Sequence, residues 1–192
     1  MNGWHFLPAD RKLRWGTREY VIPGKAYTAT GDIKICNNGM HASETIWDAL
    51  HNAPGPVLCR VNVTGELQHH DDKFVGRSRH VLWMIDAEKL LHEFACRCAE
   101  DGLRAAKVDN KECWAAIYAK RKWLRGEISD QELAAAWDTA RAAARYTARD
   151  VAWAAAWAAA RDAAWDAARG AERAWQSTEL ERMVRAEYRR TP

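Results

Sequence analysis

The sequence predicts an α+β protein: a small N-terminal mixed domain with antiparallel strands, followed by an all-α region rich in alanine, tryptophan and arginine. Three observations carry this expectation. Turn signals (IPGK, ATGD, NNG, APGP) cut the first hundred residues into short segments. VLCRVNVTGEL (57–67) alternates, with Val57, Cys59, Val61 and Val63 on one face and Arg60, Asn62 and Thr64 on the other, which is the pattern of a strand. After Ser129 no proline or glycine occurs before Gly170, and about half of that run is alanine, the best helix former.

In chain order, Tyr20–Ile22 and Ile33–Cys36 read as short strands. HASETIWDALHNA reads as a short helix, in which Thr45 and Asp48 make a capping-box pattern and Ile46, Ala49 and Leu50 share a face. RSRHVLWMI (77–85) is a second long strand, paired with 57–67 across the polar loop QHHDDK. Asp86 caps a helix through about Glu100, with Leu90, Leu91, Phe94 and Cys98 inward. Asp109 with Glu112, and Ser129 with Glu132, form further capping boxes, and the helix between them stops at Gly126. The run after Ser129 is one helix of roughly forty residues, or two stacked helices broken near Thr147–Val151. A last helix begins at Ser177 or Thr178 and ends near Arg189. The expected domains are residues 1–105 and a helical region over 106–192, with an alanine-rich repeat over 130–175.

The 29 basic and 26 acidic residues leave a net charge of +3, too mild for a general nucleic-acid or membrane binder. No apolar run approaches the ~18 residues that span a bilayer, and the N-terminus lacks a signal-peptide pattern. Five cysteines are an odd number without framework spacing and read as reduced thiols. These features describe a soluble cytoplasmic protein without a membrane partner.

Large residues recur every four positions along the arm: Trp137, Arg141, Arg145, Arg149, Trp153, Trp157, Arg161, Trp165, Arg169 and Arg173. A step of four overshoots the helical turn by about 40°, so the ridge winds around the helix. On an unbroken helix this gathers Tyr146, Trp153, Trp157 and Trp175 on one side and Arg141, Arg145 and Arg149 on another. Such a surface suits packing on the protein's own domain, or homo-oligomerisation through the arm. It also suits a nucleotide site in which tryptophans stack bases and arginines hold phosphate, although Asp138, Asp150, Asp162 and Asp166 offset the arginines. The candidate binding residues of the arm are Trp153, Trp157, Arg161, Trp165 and Arg169.

In the N-terminal half, adjacent side chains of the His69–Asp72 group point apart, so that group reads as a polar loop rather than a metal site. His92 and Cys96 have ligand spacing, but no second pair completes a tetrahedron. P-loop, GxSxG, HExxH and GxGxxG motifs are absent, and no cofactor, metal or catalytic residue is assigned. NNGMHASETIWDAL is more distinctive: a glycine turn delivers His41 next to Ser43 and Glu44 at a helix start, a place that suits anion binding or a capping role.

The order GKAYTATGDIKICNNGMHASETIWDAL, VLCRVNVTGEL, DDKFVGRSRHVLWMIDAEKLL resembles, over about residues 3–95, an uncharacterised domain of phage and bacterial genomes. Members often carry an alanine-rich helical repeat behind it. Ser43 stands where cysteine is common in that family, and Thr45 where asparagine is common. The resemblance implies a phage or prophage setting and transfers no catalytic residue. The strand–Gly-x-His–helix order is also similar to parts of the ADP-ribosyltransferase fold, where an early histidine contacts NAD; Glu66 is the candidate for the later glutamate. The sequence therefore favours a non-catalytic binding protein of phage origin that occupies a host protein, such as a defence component. The alternatives are a nucleotide-sequestering protein and an ADP-ribosyltransferase-like enzyme.

Overall fold

The computed structural model describes residues 1–14, 17–142 and 162–190, with the backbone alone for 162–172. The architecture is α+β, as the sequence predicts. Strands β1 (Asn2–Leu7), β2 (Ala26–Thr28), β3 (Met40–Ala42), β4 (Val57–Thr64), β5 (Gln68–His69), β6 (Phe74–Gly76) and β7 (Ser78–Asp86) surround one short helix, α1 (Ile46–His51). Helices α2 (Glu88–Ala105), α3 (Lys111–Leu124), α4 (130–142) and α5 (Asp162–Tyr188) follow. The chain forms two compact units, Met1–Leu90 with Gln176–Pro192, and Leu91–Trp175.

In the first unit one sheet has the order β1-β4-β7-β2 and a smaller one β3-β6-β5, and every pairing between these strands is antiparallel. Trp4 of β1 and Ser43, just past β3, exchange both backbone hydrogen bonds, at 2.8 and 2.9 Å, so the two sheets are joined along β1. Gly3 sits at this seam: a Cβ there would meet Phe74 and the Ser43 carbonyl at 2.7 and 2.8 Å. Any side chain would push the sheets apart.

The alternation in β4 holds. Val57, Cys59, Val61 and Val63 are fully buried on the inner face, in a core shared with Leu7, Leu13, Val21, Tyr27, Ala42, Phe74 and Val81. On β7 the register shifts, pairing Arg60 with Trp83 and Val61 with Val81, which leaves Leu82 as an unpaired bulge residue. The bulge changes parity: Arg79 and Val81 share the inner face with Met84, while Trp83 and Ile85 lie on the outer face.

That outer face is also covered. Trp4, Arg60 and Trp83 form a cross-strand row, with the Arg60 guanidinium 4.5 Å from the Trp4 ring and the two indoles edge to face at 5.7 Å. Tyr188 of α5 stacks on Trp83 at 4.4 Å, and Val184 and Leu180, one and two turns earlier, are fully buried. The C-terminal turns of α5 are thus part of the N-terminal core.

Several elements differ from the sequence reading, each for a local reason. Tyr20 makes only a bridge to Lys12, because the Tyr27 hydroxyl accepts from the Ile22 N–H and donates to the Tyr20 carbonyl; the strand begins after the Pro23–Gly24 turn. Residues 33–36 form no strand: Cys36 has φ of 64°, and the Gln68 side chain takes the Ile35 N–H and the Ile33 carbonyl that a strand neighbour would. The QHHDDK loop contributes β5 and leads into β6. Helix α2 extends to Ala105 with Phe94 and Cys96 buried, so Cys98 is only half-buried.

In the second unit the N-cap of α3 is Asn110 rather than Asp109, its side-chain Oδ1 accepting from the Cys113 N–H at 3.1 Å. Gly126, at φ of 74°, ends that helix as expected. The Ser129–Glu132 capping box forms reciprocally, at 3.3 and 2.8 Å. No new helix starts at Ser177, because α5 is continuous from Asp162 to Tyr188. It passes through Gly170, an interruption that costs only about 1 kcal/mol in a helix interior. Arg121 is clamped between Glu93 and Glu100, a fully compensated cation within this unit.

Leu180→Ala should lower the free energy of unfolding by about 2–5 kcal/mol in urea titrations, although Leu180 lies far beyond the sheet in sequence. A loss below about 0.5 kcal/mol would show that α5 does not seal the outer face.

Candidate functional site

The inner face of the larger sheet opens into a cavity of about 490 Å³, within the usual range of small-molecule sites. Its walls come from β1 (Trp4–Leu7), β2 and the residues after it, β3 with the preceding loop, and the segment that includes Leu13 and Glu19. Apolar groups such as Leu7, Leu13 and Ala42 alternate with Asn37, Asn38, Thr28 and Thr30.

Arg79 of β7 lies in this wall, only 4% exposed, between its register partners Tyr27 and Val63. Of the five N–H donors of a guanidinium, Nη1 gives one bond, to the His41 carbonyl at 2.9 Å, and Nε has no partner. No carboxylate pairs with it among the described residues. Burial pulls its pKa down to about 10, which still leaves it a cation at neutral pH. Arg14 and Lys73 also line the cavity; the lining carboxylate, Glu19, is bonded to Lys25 at 2.7 Å. The space is electropositive, with one buried charge left uncompensated.

Two histidines share the wall and differ in what they have left to offer. His41 of β3 places Nδ1 3.1 Å from the Gly39 carbonyl, and its Nε2 accepts from the Cys36 N–H at 3.1 Å. Both ring nitrogens are spent on its own loop, and burial first among several effects lowers its pKa. Gly39 makes this turn possible: its φ of 128° suits glycine, and a Cβ there would collide with Val75. His5 of β1 faces the same cavity with no protein partner on either ring nitrogen among the described residues. Burial, then the charge of Arg79, then His41 hold its pKa well below the ordinary value of 6.5.

Residues 9–93 match the family described as Domain of unknown function (DUF7666). That stretch holds β2 to β7, Arg79 and His41; His5 precedes it. No curated protein and no solved structure matches the chain.

Of the sequence-predicted binding residues, His41 lies in the cavity wall and bonds Arg79 through its backbone carbonyl. Trp153, Trp157 and Arg161 lie outside the described residues, as do Tyr146, Arg145 and Arg149. Trp165 and Arg169 are on α5, with only their backbone described. At the described ends of the arm, Trp137 and Trp175 are 46% and 37% exposed, and Arg141 faces Asp138 at 3.8 Å. Glu66 is exposed in the β4–β5 turn. His69 stacks on Phe74 and reaches Glu44, while His70 faces Asp72. All five cysteines are free; among the described residues no metal-binding group of three side chains occurs, and no helix is long and apolar enough to cross a membrane.

Sequence reasoning missed Arg79 and His5. The available signal was a charged residue two before Val81 in an apolar strand, and a histidine between Trp4 and Phe6.

The depressed His5 and His41 pKa values fix the sign of an acid effect. Above 6.5 the imidazoles are neutral in both folded and unfolded chains and give no pH dependence. As pH falls below 6.5 the unfolded chain takes up protons that the native site refuses, so stability is lost until the lower native pKa values are reached. Urea midpoints at about pH 7.5 and 5 should differ more in wild type than in His5→Asn; equal differences would contradict this assignment.

Proposed function

We propose that the N-terminal domain is a binding domain for a small anionic molecule, held in the cavity against Arg79. The observation that carries this reading is the buried guanidinium with one hydrogen bond and no counter-charge. Burying an ion without a partner costs several kcal/mol, and a structural role would be served better by an apolar side chain. An anionic ligand supplies the missing charge, and hydrogen bonds to a charged group contribute about 1.5–3 kcal/mol each. The cavity has room for more than a bare anion. Its apolar wall and amide-rich loop suit the body of a nucleotide-sized molecule.

A second reading concerns the arm. The exposed Trp137 and Trp175 support a protein-binding surface, for a second copy of the chain or for a host protein. The phage or prophage setting, the host-cell cytoplasm and a defence component as target belong to this reading and rest on the resemblance described above. An ADP-ribosyltransferase-like activity is a narrower form of the cavity reading, with NAD as the anion.

Calorimetric titration of the full chain with AMP, NAD and inorganic phosphate distinguishes these. The cavity reading expects at least one phosphate-bearing probe to bind, and Arg79→Met to weaken it by about 10–100-fold while leaving thermal stability equal or higher. Nicotinamide release from NAD would extend the reading to catalysis. Absence of heat with every probe, or a strongly destabilised Arg79→Met that binds as wild type does, would overturn it.

A further inference from the structure

Arg79 has a companion in the same wall. His5 is a titratable group lining the cavity that can bond a ligand without giving up a protein contact, whereas His41 has spent both nitrogens. We propose that His5 is the second anion ligand, that it takes up a proton as the anion binds beside Arg79, and that the preferred anionic group is a phosphate-type dianion. This rests on the anion-site reading of the cavity.

Without an anion beside it the imidazole is neutral, because protonation would set a second cation in a dehydrated wall already holding Arg79. An entering dianion reverses that balance. One negative charge compensates the guanidinium, and the other favours the imidazolium, whose N–H becomes a charge-assisted donor. Two cations on two strands match a group carrying two negative charges and several outward oxygens; a carboxylate compensates Arg79 alone and supplies no second charge to draw a proton onto His5.

The surrounding groups leave His5 as the site of the coupled proton. Its register partner on β4, Cys59, has its thiol pushed up to about 12 and stays neutral. Arg79 on β7 stays charged, and the ring nitrogens of His41 on β3 are held by the 36–41 loop. Tyr27 on β2 has its hydroxyl bonded to the Tyr20 and Ile22 backbone. Arg14 and Lys73 also line the wall, Lys73 facing Asp72 at 3.7 Å, and Glu19 is held ionised by Lys25.

The test uses sulfate, a dianion that does not titrate near neutral pH, with the full chain at about pH 7. Calorimetry in two buffers of different ionisation enthalpy counts protons. Wild type should take up close to one proton per sulfate, and His5→Gln should bind more weakly, by about 10-fold, with no uptake. In parallel, the NMR titration of His5 in wild type should move upward by more than about one pH unit on saturation with sulfate, which holds even if a variant folds poorly. Sulfate binding without proton uptake, or uptake that persists in His5→Gln, overturns the role of His5 and leaves the anion site standing. Silence with sulfate while AMP binds also overturns it. Silence with both removes the anion site itself.

Discussion

The paired backbone bonds between Trp4 and Ser43 are the constraint on which the rest of the N-terminal unit depends. They make β1 a strand with neighbours on both edges, β4 on one side and the end of β3 on the other. The smaller sheet is thereby hung from the larger one and folds over its inner face. The glycine at position 3 sets how closely it approaches, since Phe74 and the Ser43 carbonyl fill the space a side chain would need. The same seam brings His5 of β1, His41 of β3 and Arg79 of β7 to one cavity. These are polar residues that a single flat sheet would present to solvent.

Two arginines show what the chain does with charge. Arg121 meets two carboxylates, Glu93 and Glu100, which raise its pKa and satisfy its donors from both sides. Arg79 is buried more deeply and meets a carbonyl. A protein able to build the first arrangement has no stability reason to build the second, because an uncompensated buried ion weakens the fold. The unspent donors make sense as binding capacity held ready for a negatively charged group. The neighbouring imidazoles, their pKa values lowered by burial, stay neutral at neutral pH, which limits the positive charge gathered in the wall.

Much of the fold is legible in the sequence because it follows short-range rules. The alternation of Val57 to Val63, the Thr45 cap and the Ser129–Glu132 box all depend on residues within a few positions of one another. The site is less legible. Arg79 reaches the inner face because a bulge at Leu82 changes the parity of β7, and a bulge arises from pairing with β4 rather than from β7 alone. Residues 30–41 hold their shape through the side chains of Asn38, Gln68 and Arg77, partners that no local pattern reveals. The burial of Leu180 and Val184 depends on a sheet more than ninety positions earlier. His41 was visible as a turn histidine, and its ring does hold the turn; its carbonyl, bonded to Arg79, carries the link to the cavity.

The central claim is that Arg79 is a charged donor waiting for an anion, and its own side-chain nitrogen reports on this most directly. In a ¹⁵N-labelled sample, the Arg79 Nε–H resonance, assigned by its loss in Arg79→Met, can be followed as AMP is added. The account predicts a saturable shift of this resonance, with that of the carboxylate-bound Arg121 unmoved. A resonance that stays in place while AMP binds elsewhere on the chain would contradict it.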